Sequence, residues 1–122
     1  MSISSLRVWL VDDDASIRWV LERALRNGGM APRAFEAAEP ALDALRRESP
    51  DVLITDIRLT GDVDGCQLAR DLLQRQPSLR LIIISGDVPA TVPGLDPESY
   101  WTLNKPFATE DLKDVLKIAV GS

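Results

Sequence analysis

The sequence predicts an α/β protein, a doubly wound parallel sheet with helices on both faces. Two observations lead there. Short apolar runs alternate from end to end with segments whose apolar residues recur at helical spacing. The runs themselves lack the in–out polar alternation of a half-solvated sheet, so their strands are buried on both faces. The chain has 122 residues, which suits one domain spanning 1–122 and a sizeable core.

The first run, Leu6 to Val11, ends in three acids, and Met1 to Ser5 before it read as a frayed tail. Ile17, Val20, Leu21, Ala24 and Leu25 then form one helical face, closed by Asn27, Gly28 and Gly29 as a glycine cap. Residues 31–35 are a weaker strand. Ala38, Ala41, Leu42 and Leu45 mark a second helix, ended before Pro50. Val52 to Thr55 form a third strand, and Leu68, Ala69, Leu72 and Leu73 the inner face of a third helix. Leu79 to Ile84 is a β-branched run, charged only at Arg80, suited to a central strand. The stretch 87–99 carries Pro89, Pro93, Gly94 and Pro97, which excludes a full-length helix in the fourth crossover. Tyr100 to Asn104 form a fifth strand. Thr109 opens a last helix with Glu110 and Asp111 in its first turn, where acids suit the helix dipole.

Composition narrows the function. Apolar residues make up 45% and charged residues 27%, as in ordinary soluble domains. A net charge of −5 argues against this domain binding nucleic acid by itself. No apolar run approaches a membrane span, and no signal-peptide pattern is present, so a cytoplasmic protein with no membrane contact is expected. The lone Cys66 forms no internal disulfide. There is no histidine, which removes imidazole acid–base catalysis, His metal ligands and Ser-His-Asp triads.

Functional groups of parallel α/β sheets gather at the C-terminal strand ends. Reading those ends gives Asp12, Asp13 and Asp14, then Asp56, then Ser85, then Lys105. With the first and third strands adjacent, two sets of carboxylates converge. Converging carboxylates raise each other's pKa unless a cation intervenes, and a hard divalent ion suits oxygen ligands. The plain alternative is that the acids solvate strand ends or cap the first helix. Asp14 has that capping explanation and is given no ligand role.

Asp12-Asp13 followed by Ser16-Ile17-Arg18, PDVLITDIRL around Asp56, IIISG around Ser85 and NKPF at Lys105 together resemble the response-regulator receiver family. The resemblance runs from about Leu6 to Val120. WLVDDDASIRWVLERAL is similar to nitrogen-regulator type receivers, whereas LTGDVDG and SGD are closer to receivers of hybrid sensor kinases. The resemblance implies a flavodoxin-like five-stranded sheet of order 2-1-3-4-5, with the fourth crossover helix short or absent here. It also implies that Asp56 accepts a phosphoryl group from a phosphohistidine on a sensor histidine kinase or histidine phosphotransfer protein. Mg2+ (or Mn2+) would be held by Asp13, Asp56 and the Arg58 carbonyl, with Asp12 acting through a water. Ser85 would be the switch hydroxyl, and Lys105 would offset phosphoryl charge. Arg58 and Asp87, each two residues past a site residue, would tune the pocket mouth.

The sequence departs from the family at three places. Thr60-Gly61 replaces the usual Pro-Gly, and Asp62 is an extra residue before Asp64-Gly65. Thr102 stands where many receivers carry an aromatic switch residue. The fourth crossover is proline-rich. These bear on output, whether an output domain or self-association, rather than on phosphorylation. The domain is expected to be a signalling phosphoacceptor rather than an enzyme, with only self-phosphorylation and autodephosphorylation. The alternative is a degenerate receiver acting as a constitutive protein-binding module. A phosphatase-like enzyme with an Asp nucleophile is disfavoured because Arg58 replaces its partner acid, and flavin binding because acids, not a phosphate loop, follow the first strand.

Overall fold

In the computed structural model, residues 6–59, 64–86 and 92–121 are described. Their elements run β1 (Val8–Val11), α1 (Ala15–Asn27), β2 (Arg33–Phe35), α2 (Ala38–Ala44), β3 (Val52–Asp56), α3 (Gly65–Arg75), β4 (Arg80–Ser85), β5 (Tyr100–Asn104) and α4 (Thr109–Gly121). The strands form one sheet, each pair parallel as the residue pattern predicts, in the order β2-β1-β3-β4-β5 that the family resemblance implies. Among the described residues no helix is long and apolar enough to cross a membrane.

Alternate strand residues face opposite sides, so the sheet divides the interior in two. Val8, Leu10, Val52, Ile54, Ile82, Ile84 and Leu103 pack with Leu21 and Leu25 of α1 and Leu112 and Leu116 of α4. Trp9, Val11, Leu53, Leu81, Ile83 and Tyr100 pack with Ala38 and Ala41 of α2 and Leu68 and Leu72 of α3. Ile82, Ile83 and Ile84 have no solvent exposure, and burying each such side chain is worth roughly 1.5–3 kcal/mol. Arg80, the charged residue of that run, sits at its first position and donates from Nε to the Ala119 carbonyl, 2.9 Å away at the end of α4. A cation suits a helix C-terminus, where carbonyls lack partners.

Helix α1 is set at both ends by local chemistry. Asp14 Oδ1 accepts from the N–H groups of Ser16 and Ile17, which confirms its capping role. At the other end Gly29 takes φ 87°. The Met30 N–H reaches the Leu25 carbonyl and the Gly29 N–H that of Arg26, the two bonds of a Schellman stop.

Helix α3 rests against the end of β3 with no room to spare. A Cβ on Gly65 would lie 1.8 Å from the Asp56 carbonyl oxygen, so only glycine permits this approach.

Residues 87–91 of the fourth crossover, including Asp87 and Pro89, lie outside the described residues, as do Thr60, Gly61 and Asp62. The part from Val92 to Ser99 contains no α-helix, only a single 3-10 turn at Pro97–Ser99, which Pro97 opens and Asp96 caps. This half of the crossover is nonetheless firmly held. The Val92 N–H donates to the buried Tyr100 hydroxyl at 3.1 Å, and Arg70 Nη1 on α3 donates to the Pro93 carbonyl at 2.8 Å. Gly94, at φ 86°, passes over the Arg70 side chain. Tyr100 and Thr102 share one face of β5, one pleat apart. The aromatic ring therefore lies beneath the crossover, while Thr102 at the next position is exposed.

Two substitutions test these contacts by urea denaturation. Tyr100→Phe strands the buried Val92 N–H and is expected to cost about 1–3 kcal/mol. Gly65→Ala is expected to cost about 3 kcal/mol through forced displacement of α3. Gly86→Ala, with nothing among the described residues within 4 Å of the added carbon, is the control and should stay within about 0.5 kcal/mol.

Candidate functional site

Strand register brings the polar strand ends to one edge. Asp12 directly follows β1, Asp56 ends β3, Ser85 ends β4, and Lys105 directly follows β5. The ladder carries on just beyond the strands: Asp12 N–H bonds Phe35 O at 3.1 Å, Ile57 N–H bonds Ile84 O at 3.0 Å, and Lys105 N–H bonds Ser85 O at 2.8 Å. Each site residue is thus fixed through its backbone by the neighbouring strand.

Asp12, Asp13 and Asp56 each offer a carboxylate oxygen, and the three oxygens lie within 4.8 Å of one another. Asp12 is fully buried, Asp56 is 8% exposed and Ser85 1% exposed, whereas Asp13 faces solvent. The cluster therefore has a closed floor and an open mouth. Lys105 Nζ stands 2.6 Å from Asp56 Oδ2 and 3.3 Å from Asp12 Oδ2. The other Asp56 oxygen, Oδ1, accepts the Arg58 N–H at 2.9 Å. Asp12 Oδ1 accepts the Asp14 N–H at 2.9 Å, but Oδ2 is buried without a hydrogen bond among the described residues and forms an ion pair with Lys105 at 3.3 Å.

The electrostatics follow from that layout. Burial raises the Asp12 pKa above its ordinary value; the Asp14 N–H and Lys105 pull it down, and the Asp56 charge pushes it further up. Burial alone would lower the Lys105 pKa, yet the hydrogen bond to Asp56 and the charges of Asp12 and Asp56 more than offset it, and the ammonium form is favoured. Three carboxylates against one ammonium leave two negative charges uncompensated when all are ionised, the number one divalent cation supplies. An all-oxygen donor set with an unsatisfied buried carboxylate oxygen fits such a hard ion.

The structure thus unites Asp12, Asp13, Asp56, Ser85 and Lys105 at one edge, with the Arg58 backbone bonded to Asp56. Asp87 lies outside the described residues. Two residues at the site carried no role in the sequence reading. Arg18 Nη1 donates to the Asp12 carbonyl at 2.7 Å, and Gly65 abuts the Asp56 carbonyl. Arg18 is visible in the sequence only as part of the run after Asp13. Gly65 is marked only by the Asp64-Gly65 pair, whose Asp64 caps α3 by accepting the Gln67 N–H.

Comparison with known proteins bears on the same residues. The model of the response regulator receiver domain matches residues 8–117. The DNA-binding transcriptional regulator NtrC of Klebsiella pneumoniae is 44% identical over 115 residues, 93% of this chain and 24% of that protein. The C4-dicarboxylate transport transcriptional regulatory protein DctD of Rhizobium meliloti is 34% identical over 107 residues, 86% of this chain and 23% of that protein. The chain therefore spans about a quarter of the length of these relatives. Among solved structures, the apo receiver domain of nitrogen regulatory protein C superposes with a TM-score of 0.83 at 38% identity, covering 97% of this chain and 96% of that one. A response regulator receiver protein from Sinorhizobium medicae gives 0.86 at 26%, covering 99% and 98%. Sequence and fold agree over nearly the whole chain, and it belongs to the response regulator receiver domain family.

Proposed function

We propose that Asp56 is the phosphoacceptor, drawing its phosphoryl group from a phosphohistidine on a sensor histidine kinase or histidine phosphotransfer protein. The observation that carries this reading is the 2.6 Å contact between Lys105 Nζ and Asp56 Oδ2. A lysine held on the one nearly buried carboxylate that still opens to solvent marks the place where more negative charge is to arrive. With no histidine among these 122 residues, the donor imidazole must come from outside this domain.

An Asp56 oxygen forms the new P–O bond as the P–N bond of the donor breaks. Transfer of this kind depends on positioning and on neutralising oxygen charge. The Arg58 N–H bond fixes Oδ1, and Lys105 is free to follow the charge from Oδ2 to the phosphoryl oxygens. Ser85, at the end of β4 and one position past Ile84, the register partner of Asp56, is the proposed switch hydroxyl. Mg2+, or Mn2+, would be held by Asp13, Asp56 and the Arg58 carbonyl, with Asp12 contributing through water. Bound there, it neutralises carboxylate charge that would otherwise repel an anionic donor. Arg58 and Asp87 are the proposed tuning residues at the mouth. The output in this reading is an altered protein-binding surface, serving an attached output domain or self-association.

Three outcomes are expected. Acetyl phosphate with Mg2+ adds one phosphoryl group by intact mass, and Asp56→Asn abolishes the addition; labelling that survives in this variant would sink the assignment. In magnesium titrations Asp13→Ala loses most of the affinity, whereas Asp14→Ala loses only the stability of a helix cap, about 1 kcal/mol. Equal losses at both would reduce the acids to a diffuse negative patch. The third concerns the metal-free protein. Because the folded Asp12 pKa is raised, that group's contribution to stability is fully present below its unfolded value and is lost as pH rises through the folded value. Asp12→Asn should therefore raise the metal-free melting temperature at neutral pH. The gain should shrink toward acid pH and be accompanied by weaker stabilisation on adding Mg2+.

A further inference from the structure

Arg18 lies a turn inside α1, yet its side chain runs back to the end of β1. There Nη1 donates to the Asp12 carbonyl oxygen at 2.7 Å. That oxygen belongs to the peptide joining Asp12 to Asp13. A peptide unit is planar, so a bond to its oxygen fixes the plane that also carries the Asp13 nitrogen and Cα. The neighbouring atoms are held as well: the Asp12 N–H by Phe35 O at 3.1 Å, and Asp12 Oδ1 by the Asp14 N–H at 2.9 Å. Asp13 itself projects into solvent, so the aim of its carboxylate depends on the backbone beneath it.

We propose that Arg18 is a positioning residue for the cation site, acting through the Asp12–Asp13 peptide to aim the Asp13 carboxylate at the ion. This rests on the reading of the acid cluster as a divalent-cation site. The bond also ties α1 to the site at a second point, beyond the Asp14 cap.

The sign of one measurement separates this role from a purely electrostatic one. A guanidinium beside the cluster repels an incoming cation, so if charge were all that mattered its removal would tighten Mg2+ binding. Removing a contact that aims a ligand must weaken it. Groups that orient a ligand through hydrogen bonds are typically worth about 10- to 100-fold in metal affinity.

The test is Mg2+ titration of the full chain by calorimetry, for the parent, Arg18→Met and Arg18→Lys, at fixed ionic strength and well below each melting temperature. Lost global stability then moves none of the affinities. Arg18→Met is expected to bind Mg2+ about tenfold more weakly, and Arg18→Lys, which keeps a charged donor, to recover most of the loss. Binding by Arg18→Met as tight as the parent's, or tighter, overturns the proposal, as does failure of Arg18→Lys to improve on Arg18→Met. If Arg18→Met does not fold, Arg18→Gln replaces it, and parent-like affinity there is equally fatal. A parent chain that takes up no Mg2+ at all removes the cation-site reading and this proposal with it, an outcome distinct from one in which parent and variant bind alike.

Discussion

The architecture of the site depends on keeping three carboxylates together, two of them where water cannot screen them well. Asp12 has no solvent exposure and Asp56 only 8%, and like charges in such a place oppose each other strongly. Lys105 reaches both, at 3.3 and 2.6 Å, but one ammonium cannot balance three acids. The cluster therefore remains under electrostatic load. Burial contributes most to the rise in the Asp12 pKa, the Asp56 charge adds to it, and the Asp14 N–H and Lys105 oppose it. Stability and function pull in opposite directions here, and the hydrophobic layers on either side of the sheet must hold the strand ends against the repulsion.

Those layers do so through rigid backbone. The strand ends are joined by ladder bonds that continue past the last regular residue, as from Lys105 N–H to Ser85 O. Helix α3 presses on the Asp56 carbonyl so closely that Gly65 has no room for a side chain. Backbone movement at Asp56 is consequently movement against α3. From α3, Arg70 grips the Pro93 carbonyl, and the segment it grips is held again by Tyr100. The described half of the fourth crossover is thus fastened to α3 and to β5 without being helical. The aromatic ring on this face of β5 serves as an anchor at its start, and Thr102 leaves the later position open.

Much of this was legible in the sequence. Buried parallel strands must be continuously apolar, so runs such as Leu79 to Ile84 announced themselves, and the acids, serine and lysine at the run ends could be placed at one sheet edge by topology alone. Asp14 as a cap, the glycine stop of α1 and the absence of a helix across Pro93 and Pro97 follow from local backbone chemistry. A proline lacks an N–H wherever it occurs, and an aspartate before a helix bonds the nearest free amides.

Other features were decided only when distant segments met. Nothing local to Arg18 says that it will turn back to the Asp12 carbonyl, nor does anything near Arg80 reveal that Ala119 will arrive beside it. Gly65 looks like an ordinary loop glycine until β3 and α3 are packed together. Tyr100 and Thr102 could be assigned to a strand, but which of them lies beneath the crossover depends on how that segment docks. Periodicity and capping act within a few residues, and a sequence displays them directly. Close approach, burial of a charge and the partner of a long side chain depend on segments far apart in sequence, such as Asp56 and Lys105, 49 residues apart, and only the folded chain brings those together.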